Sequence, residues 1–282
     1  MSYELLEKHI VEWAKTQPAI RALISVGSRA RGEVDQWSDL DLVIFTTDRE
    51  RYAKDDDWLR GFGTVWLTYL ENAGAGDPEW FAFYEGGLKL DALLFSIQDA
   101  ALDTAALLAS FPYRSVIARG VDVLYDREGT PRRIPAQPFT APAPLTQPAF
   151  DHLINGFLLD AVNTAKFVAR NDLWRAQRSL AQQLRSALLT LIAWHAYGRD
   201  TWYAGRFIDK WADQRVLASL PSLFPQYDQK SMKRTILAIL DLFRWLGEET
   251  TTRVGIEFPT AYEHIAALIQ SILANVASIG DQ

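Results

Sequence analysis

The chain has 282 residues, 49% of them hydrophobic and 23% charged, a net charge of −6 and no cysteine. That composition is of the soluble globular class, and the absence of cysteine excludes disulfides, thiolate zinc sites and cysteine nucleophiles. Up to residue 126 there are 12 basic against 21 acidic residues, a charge of −9, and after it 17 against 14, a charge of +3. An acidic first half speaks against a nucleic-acid partner, which is bound through Lys and Arg on phosphates, and suits metal ions and cationic small molecules.

In chain order, Leu5, Leu6, Ile10, Val11 and Trp13 fall at helical spacing and predict an amphipathic helix over 3–15. "IRALISVGS" reads as a short strand ending in a turn, and "LDLVIF" as a strand buried on both faces. "GTVWLTYL" and "EWFAFYEGGLKLDALLFS" predict three more strands, the last two joined in a hairpin at Gly86–Gly87. Residues 99–109 carry a helical pattern, and "VDVLYD" closes the half as a strand. Between 127 and 149 stand Pro131, Pro135, Pro138, Pro142, Pro144 and Pro148, a density expected of an extended connector outside either core. Helical patterns over 150–170, 172–197, 229–247 and 258–278 then fill the second half. The expected fold is α+β: a mixed-sheet domain over 1–126, a Pro-rich linker over 127–149 and a helical bundle over 150–282. No basic n-region with an apolar run opens the sequence and no apolar stretch nears the roughly 20 residues of a membrane helix, so no membrane partner and a cytoplasmic location are expected.

Chemistry concentrates in "GSRARGEVDQWSDLDLVIF", residues 27–45. Strand residues two apart share a face, so Asp39 and Asp41 point the same way and repel unless a cation lies between them. Oxygen-only ligands suit a hard ion such as Mg²⁺, which shares its shell with substrate phosphates. Asp91, in "LKLDALLF", joins them if its strand neighbours theirs, a layout suited to two-metal phosphoryl transfer. A paired structural carboxylate is the rival reading of Asp91. Upstream, Gly27 permits a tight turn and Ser28 opens a short helix whose free N–H groups and hydroxyl suit a phosphate. Arg29 and Arg31 either add charge there or pair with Glu33 or Asp35. Lys89, on the face of Asp91, is a phosphate partner or forms an ion pair with an aspartate.

Other residues carry weaker signals. Glu85, before the hairpin glycines, is a candidate general base or a solvated edge residue. Trp37 is the tryptophan best placed to touch a ligand, whereas Trp13, Trp58, Trp194 and Trp245 fit core positions. Asp55-Asp56-Asp57 fits a helix N-terminus, and His9, His152, His195 and His264 have no ligand spacing.

The order GS, a gap, SDLDLV and a later strand aspartate resembles the nucleotidyltransferase superfamily that includes DNA polymerase beta. With "DDDWLRGFG", "GLKLDALLF" and "NTAKFVARNDLWRAQ" the chain resembles the aminoglycoside 6-adenylyltransferase (streptomycin adenylyltransferase) family over nearly its whole length. The resemblance implies a transferase that moves AMP from ATP to a hydroxyl of a small polyhydroxylated acceptor, with two Mg²⁺ ions as cofactors and ATP expected in a cleft between the domains. The implied acceptor is an aminoglycoside antibiotic of the streptomycin kind, with a lincosamide, or an unknown non-antibiotic molecule bound by a nucleotide-binding family member, as alternatives. It implies Asp39, Asp41 and Asp91 as metal ligands and catalytic residues, and Gly27, Ser28, Arg29 and Lys166 as nucleotide-binding residues, Lys166 reaching the triphosphate from the helical domain. A nucleic-acid partner is not expected, and the chain is expected to be a monomer or homodimer.

Overall fold

A computed structural model describes residues 1–97, 111–129, 132–137, 143–201 and 203–274. The helix expected over 99–109 lies outside them, as does the end of the one expected over 258–278. The chain divides into two units, Met1–Pro138 and Phe139–Gln282.

The first unit is built on a seven-stranded sheet of order β3-β4-β5-β2-β1-β6-β7. Its strands are β1 (Ile20–Val26), β2 (Leu40–Thr46), β3 (Val65–Asn72), β4 (Pro78–Tyr84), β5 (Leu88–Ser96), β6 (Val121–Asp126) and β7 (Arg132–Ile134). All neighbours are antiparallel except β2 and β5, so the sheet is mixed as expected. Tyr84 pairs with Leu88 across Glu85-Gly86-Gly87, and φ values of 92° and 80° at the two glycines are the left-handed conformation such a turn needs.

Helix α1 (Tyr3–Thr16) starts where the Ser2 side chain accepts the Leu5 N–H, and it buries Leu6, Ile10 and Ala14. These pack on one sheet face with Leu23, Leu42, Ile44, Leu90, Ala92 and Leu94. The opposite face carries a smaller cluster around Ile24, Val43, Phe45, Leu93 and Phe111. Short helices α2 (Gly27–Arg31), α3 (Arg49–Ala53), α4 (Asp57–Arg60) and α5 (Arg114–Ile117) fill the connections. Asp56 and Asp57 open α4, as the charge preference of helix starts requires.

The Pro-rich stretch is more than a connector. Arg132–Ile134, lying between Pro131 and Pro135, retain their N–H groups and pair with β6 as an edge strand. Arg133 from this strand donates to the Ala30 carbonyl in α2 and forms an ion pair with Asp122 at 3.6 Å.

The second unit is helical: α6 (Gln147–Ala169), α7 (Leu173–Ser179), α8 (Arg185–His195), α9 (Ile208–Trp211), α10 (Gln214–Ser219), α11 (Gln229–Val254) and α12 (Ala261–Ala274). A π-helical turn, Leu180–Leu184, joins α7 to α8, so the helical stretch expected over 172–197 is continuous but locally widened. Phe157 of α6 and Phe243 of α11 stack at 3.7 Å in its core. Helix α11 is capped by Asp228, whose side chain accepts the Ser231 N–H, and ends at Gly255 with φ 77°. Among the described residues no helix is long and apolar enough to cross a membrane.

Candidate active site

The mixed pairing of the sheet decides the site. β2 and β5 run parallel with Asp41 directly beside Asp91, and Asp39 lies one residue before β2, on the same side. All three carboxylates therefore stand on the sheet face opposite α1, which continues into Val43, Phe45 and Leu93. The condition on which their convergence depended, that the two strands be neighbours, is met.

Among the described residues Lys89 is the cation that bonds these carboxylates, with Arg31 acting on Asp41 from further off. The Lys89 ammonium donates to Asp39 Oδ2 at 3.0 Å and to Asp91 Oδ2 at 2.8 Å. The ion pair with an aspartate given as one reading of Lys89 is present, and it is made with two aspartates. Three carboxylates against one ammonium leave an excess of two negative charges. Burial, then Asp91 and Asp39, push the Asp41 carboxyl from its ordinary 3.8 up to about 6. Burial also raises Asp91, and it raises Glu79 of β4, helped by the charges of Asp91 and Asp41. Asp91 Oδ1 is buried and accepts no hydrogen bond.

Among the described residues no three His, Asp or Glu side chains form a ready metal cluster, and Lys89 bridges Asp39 and Asp91. The donor set nevertheless fits a hard divalent cation. The ligands are all oxygens, one buried carboxylate oxygen is unpartnered, and the unmatched charge equals that of one such ion.

The Gly-Ser turn is built against these acids. Gly27 has φ 74°, and a Cβ added to it would lie 2.1 Å from Asp41 Oδ2, so both backbone and space demand glycine. Ser28 follows in α2. Arg29 turns back to donate to the Asp39 carbonyl at 3.1 Å and lies 4.0 Å over the Tyr3 ring, tying the turn to the start of β2. Arg31 bonds Glu33 at 2.8 Å, the pairing given as its alternative. Before Asp39, the Asp35 carboxylate accepts from the Trp37 N–H and the Ser38 hydroxyl, both at 2.9 Å, a closed turn that leaves Trp37 81% exposed.

Glu85 is exposed in the hairpin turn. Lys166 is exposed in the last turn of α6, in the second unit. Trp13 and Trp58 stack at 4.9 Å against the core, and Trp194 and Trp245 pack against the helical core, as their spacing suggested. His9 bonds the Phe62 carbonyl and His195 bonds Glu249, both structural roles.

Sequence reasoning missed two contributors. The Tyr3 hydroxyl accepts the Lys89 backbone N–H at 3.1 Å while its ring supports Arg29, and nothing in a helix-start tyrosine signals this. Glu79 was detectable: counting back through the Gly86–Gly87 hairpin places Phe81 opposite Asp91 and puts Glu79 on the same face.

The streptomycin adenylyltransferase family model matches residues 2–272. An aminoglycoside 6-adenylyltransferase of Bacillus subtilis (strain 168) is 24% identical over 94% of this chain and 96% of its own length. One of Campylobacter jejuni is 23% identical over 91% of each. The crystal structure of an aminoglycoside 6-adenyltransferase from Bacillus subtilis aligns with a TM-score of 0.45 at 20% identity, covering 96% of this chain and 99% of that one. With a family match over almost its full length, the chain belongs to the streptomycin adenylyltransferase family and is an enzyme of the nucleotidyltransferase type.

Proposed function

We propose that the protein is a Mg²⁺-dependent adenylyltransferase that moves AMP from ATP to a hydroxyl of an aminoglycoside of the streptomycin kind. The observation that carries this reading is the convergence of Asp39, Asp41 and Asp91 beside the Gly27–Ser28 turn, with two unmatched negative charges and an unpartnered buried oxygen on Asp91. The names of the two curated relatives support the acceptor class.

In this reading Asp39, Asp41 and Asp91 hold the metal. Mg²⁺, when bound, supplies neutralisation of triphosphate charge and a template for the attacking oxygen. Asp91 would also contribute to holding a second ion, which the family resemblance implies and which would add to the neutralisation of charge. The Gly27 backbone and Ser28 hydroxyl bind phosphate, and Arg29 keeps that turn fixed to the strand bearing the acids. Lys89 bridges Asp39 and Asp91 and offsets part of their charge. The acceptor oxygen forms a bond to the α-phosphorus, the bond to the bridging oxygen breaks, and pyrophosphate leaves. The hydroxyl proton passes to a general base as the new bond forms. Positioning and electrostatics supply most of the rate.

Residues 1–126 act here as the catalytic domain and 150–282 as a helical substrate-binding domain, joined through 127–149. Lys166, exposed and without an ion pair among the described residues, is assigned the triphosphate contact of the helical domain.

The test is pyrophosphate release from ATP and Mg²⁺ across a panel of aminoglycosides and lincosamides, beside Asp39→Asn and Asp91→Asn. Release that depends on an aminoglycoside and is abolished by both substitutions is expected. A protein that binds no ATP, or releases pyrophosphate equally with both aspartates replaced, refutes the assignment.

A further inference from the structure

The Gly27–Ser28 turn and the carboxylates come from separate segments, α2 on one side and the starts of β2 and β5 on the other. A closed ring of four contacts joins them. The ladder between β2 and β5 begins at Leu40 and Leu90, so the Lys89 N–H stands one residue beyond it. The Tyr3 hydroxyl, on the first residue of α1, accepts that N–H at 3.1 Å. The Lys89 ammonium donates to Asp39 Oδ2 at 3.0 Å. The Asp39 carbonyl accepts from Arg29 Nε at 3.1 Å. The Arg29 guanidinium lies 4.0 Å over the Tyr3 ring, and the circuit is complete.

Three members of this ring already have a place in the site: Asp39 as a ligand, Arg29 in the turn, and Lys89 as the partner of two acids. Tyr3 has none, and α1 does not depend on it for its seat. The helix is capped by Ser2 and packs on the sheet through Leu6, Ile10 and Ala14. What a tyrosine offers here is two different handles on one rigid ring. Its hydroxyl holds backbone at the start of β5, its face holds a guanidinium, and the distance between the two cannot change.

We propose that Tyr3 is a positioning residue for nucleotide and metal binding, a step that rests on the adenylyl-transfer reading above. Through its hydroxyl it sets Lys89, and with Lys89 the spacing of Asp39 and Asp91. Through its ring it sets Arg29, and with Arg29 the Gly27–Ser28 turn. The acids and the turn are thereby held in one register before either ligand arrives, which is where preorganised sites gain their affinity and rate. The two handles separate by substitution. Tyr3→Phe keeps the ring under Arg29 and removes the acceptor of the Lys89 N–H, whereas Tyr3→Leu removes both.

The experiment is calorimetric titration of the full chain and both variants with α,β-methylene-ATP, which cannot release pyrophosphate, in EDTA and again in Mg²⁺. In EDTA, Tyr3→Phe is expected to bind like the parent, and Tyr3→Leu roughly fivefold more weakly, because only the latter frees Arg29. In Mg²⁺, Tyr3→Phe is expected to lose part of the affinity that the metal adds, again by roughly fivefold, because the spacing of the acids has slackened. Rescue of the metal-free affinity by Phe but not by Leu is a pattern that mere loss of folded protein does not produce, since that lowers the fraction binding and leaves Kd unmoved. Parent values of Kd in both variants under both conditions overturn the proposal, as does an equal loss in Phe and Leu in EDTA. AMP transfer to streptomycin separates this from the broader reading. Transfer abolished by Asp39→Asn, with both Tyr3 variants keeping parent kcat and KM, removes Tyr3 and keeps the transferase. The expected shifts in Kd without transfer of AMP to any acceptor do the reverse.

Discussion

The two faces of the sheet are made by alternate residues of the same strands and have opposite characters. On the α1 face, Leu23, Leu42, Ile44, Leu90, Ala92 and Leu94 are almost wholly excluded from water, and apolar burial there holds the unit together. On the other face the same β2 and β5 contribute Asp41 and Asp91, side by side and short of positive charge. Helix α1 packs on one face, and the other carries the acids where β2 and β5 begin. The lesson is a division of labour with a period of two residues, in which one face supplies the stability that the other gives up.

The largest effect that would sharpen this contrast is Asp91→Asn. Removing a carboxylate from the reacting centre should lower kcat/KM for AMP transfer at least a thousandfold, about 4 kcal/mol of barrier. The same variant should melt at or above the parent temperature, because it relieves a crowded acid. On the opposite face, Ile44→Ala should cost about 2–5 kcal/mol of unfolding free energy in urea and leave the kcat of the folded fraction nearly unchanged. If Ile44→Ala lowered kcat as steeply as stability, or Asp91→Asn unfolded the protein while keeping activity, the division between faces would be wrong.

Gly27→Ala probes the join between the faces. The substitution meets a left-handed φ of 74° and a contact of 2.1 Å with Asp41 Oδ2, so either the turn or the aspartate must shift. Roughly 2 kcal/mol of lost transition-state binding, some thirtyfold in kcat/KM, is expected, with a smaller change in stability. A variant with full activity would mean that neither the turn nor the Asp41 position enters the reaction.

Much of this contrast was legible in the residues. The alternation in "LDLVIF" and "LKLDALLF" assigns each aspartate to a face, and the double glycine fixes the register of the hairpin that carries Asp91. What could not be read was pairing between distant segments. Nothing local states that β5 runs parallel to β2, which is the fact that sets Asp41 beside Asp91. The role of Lys89 depended on that same pairing, since its bond to Asp39 spans fifty residues. The Pro-rich segment misled for a related reason. Proline density is a local property, whereas the strand at Arg132–Ile134 exists because an edge of the sheet was available to it. Tyr3 lies at the limit of what sequence can say, because its two contacts, to Arg29 and Lys89, come from elements remote in the chain.

The smallest effect is also the one that measures the acidic face directly. Asp41 has a folded pKa pushed up from 3.8 to about 6, so between those values the native state holds a proton that the unfolded chain has released. Stability therefore falls as pH rises from about 4 to about 6, and the loss is complete above that window. A shift of this size in a partly solvated carboxyl is worth roughly 1–2 kcal/mol. In Asp41→Asn the titrating group is gone, so the unfolding free energy should decline less across the window and exceed the parent value at neutral pH. Addition of Mg²⁺ with a non-hydrolysable ATP analogue should flatten the parent curve in the same way, since a bound cation favours the ionised carboxylate. Chelation of the metal should restore the slope. Parallel curves for parent and Asp41→Asn would mean that the crowded acids cost the fold nothing, and that the acidic face is not held under electrostatic tension at all.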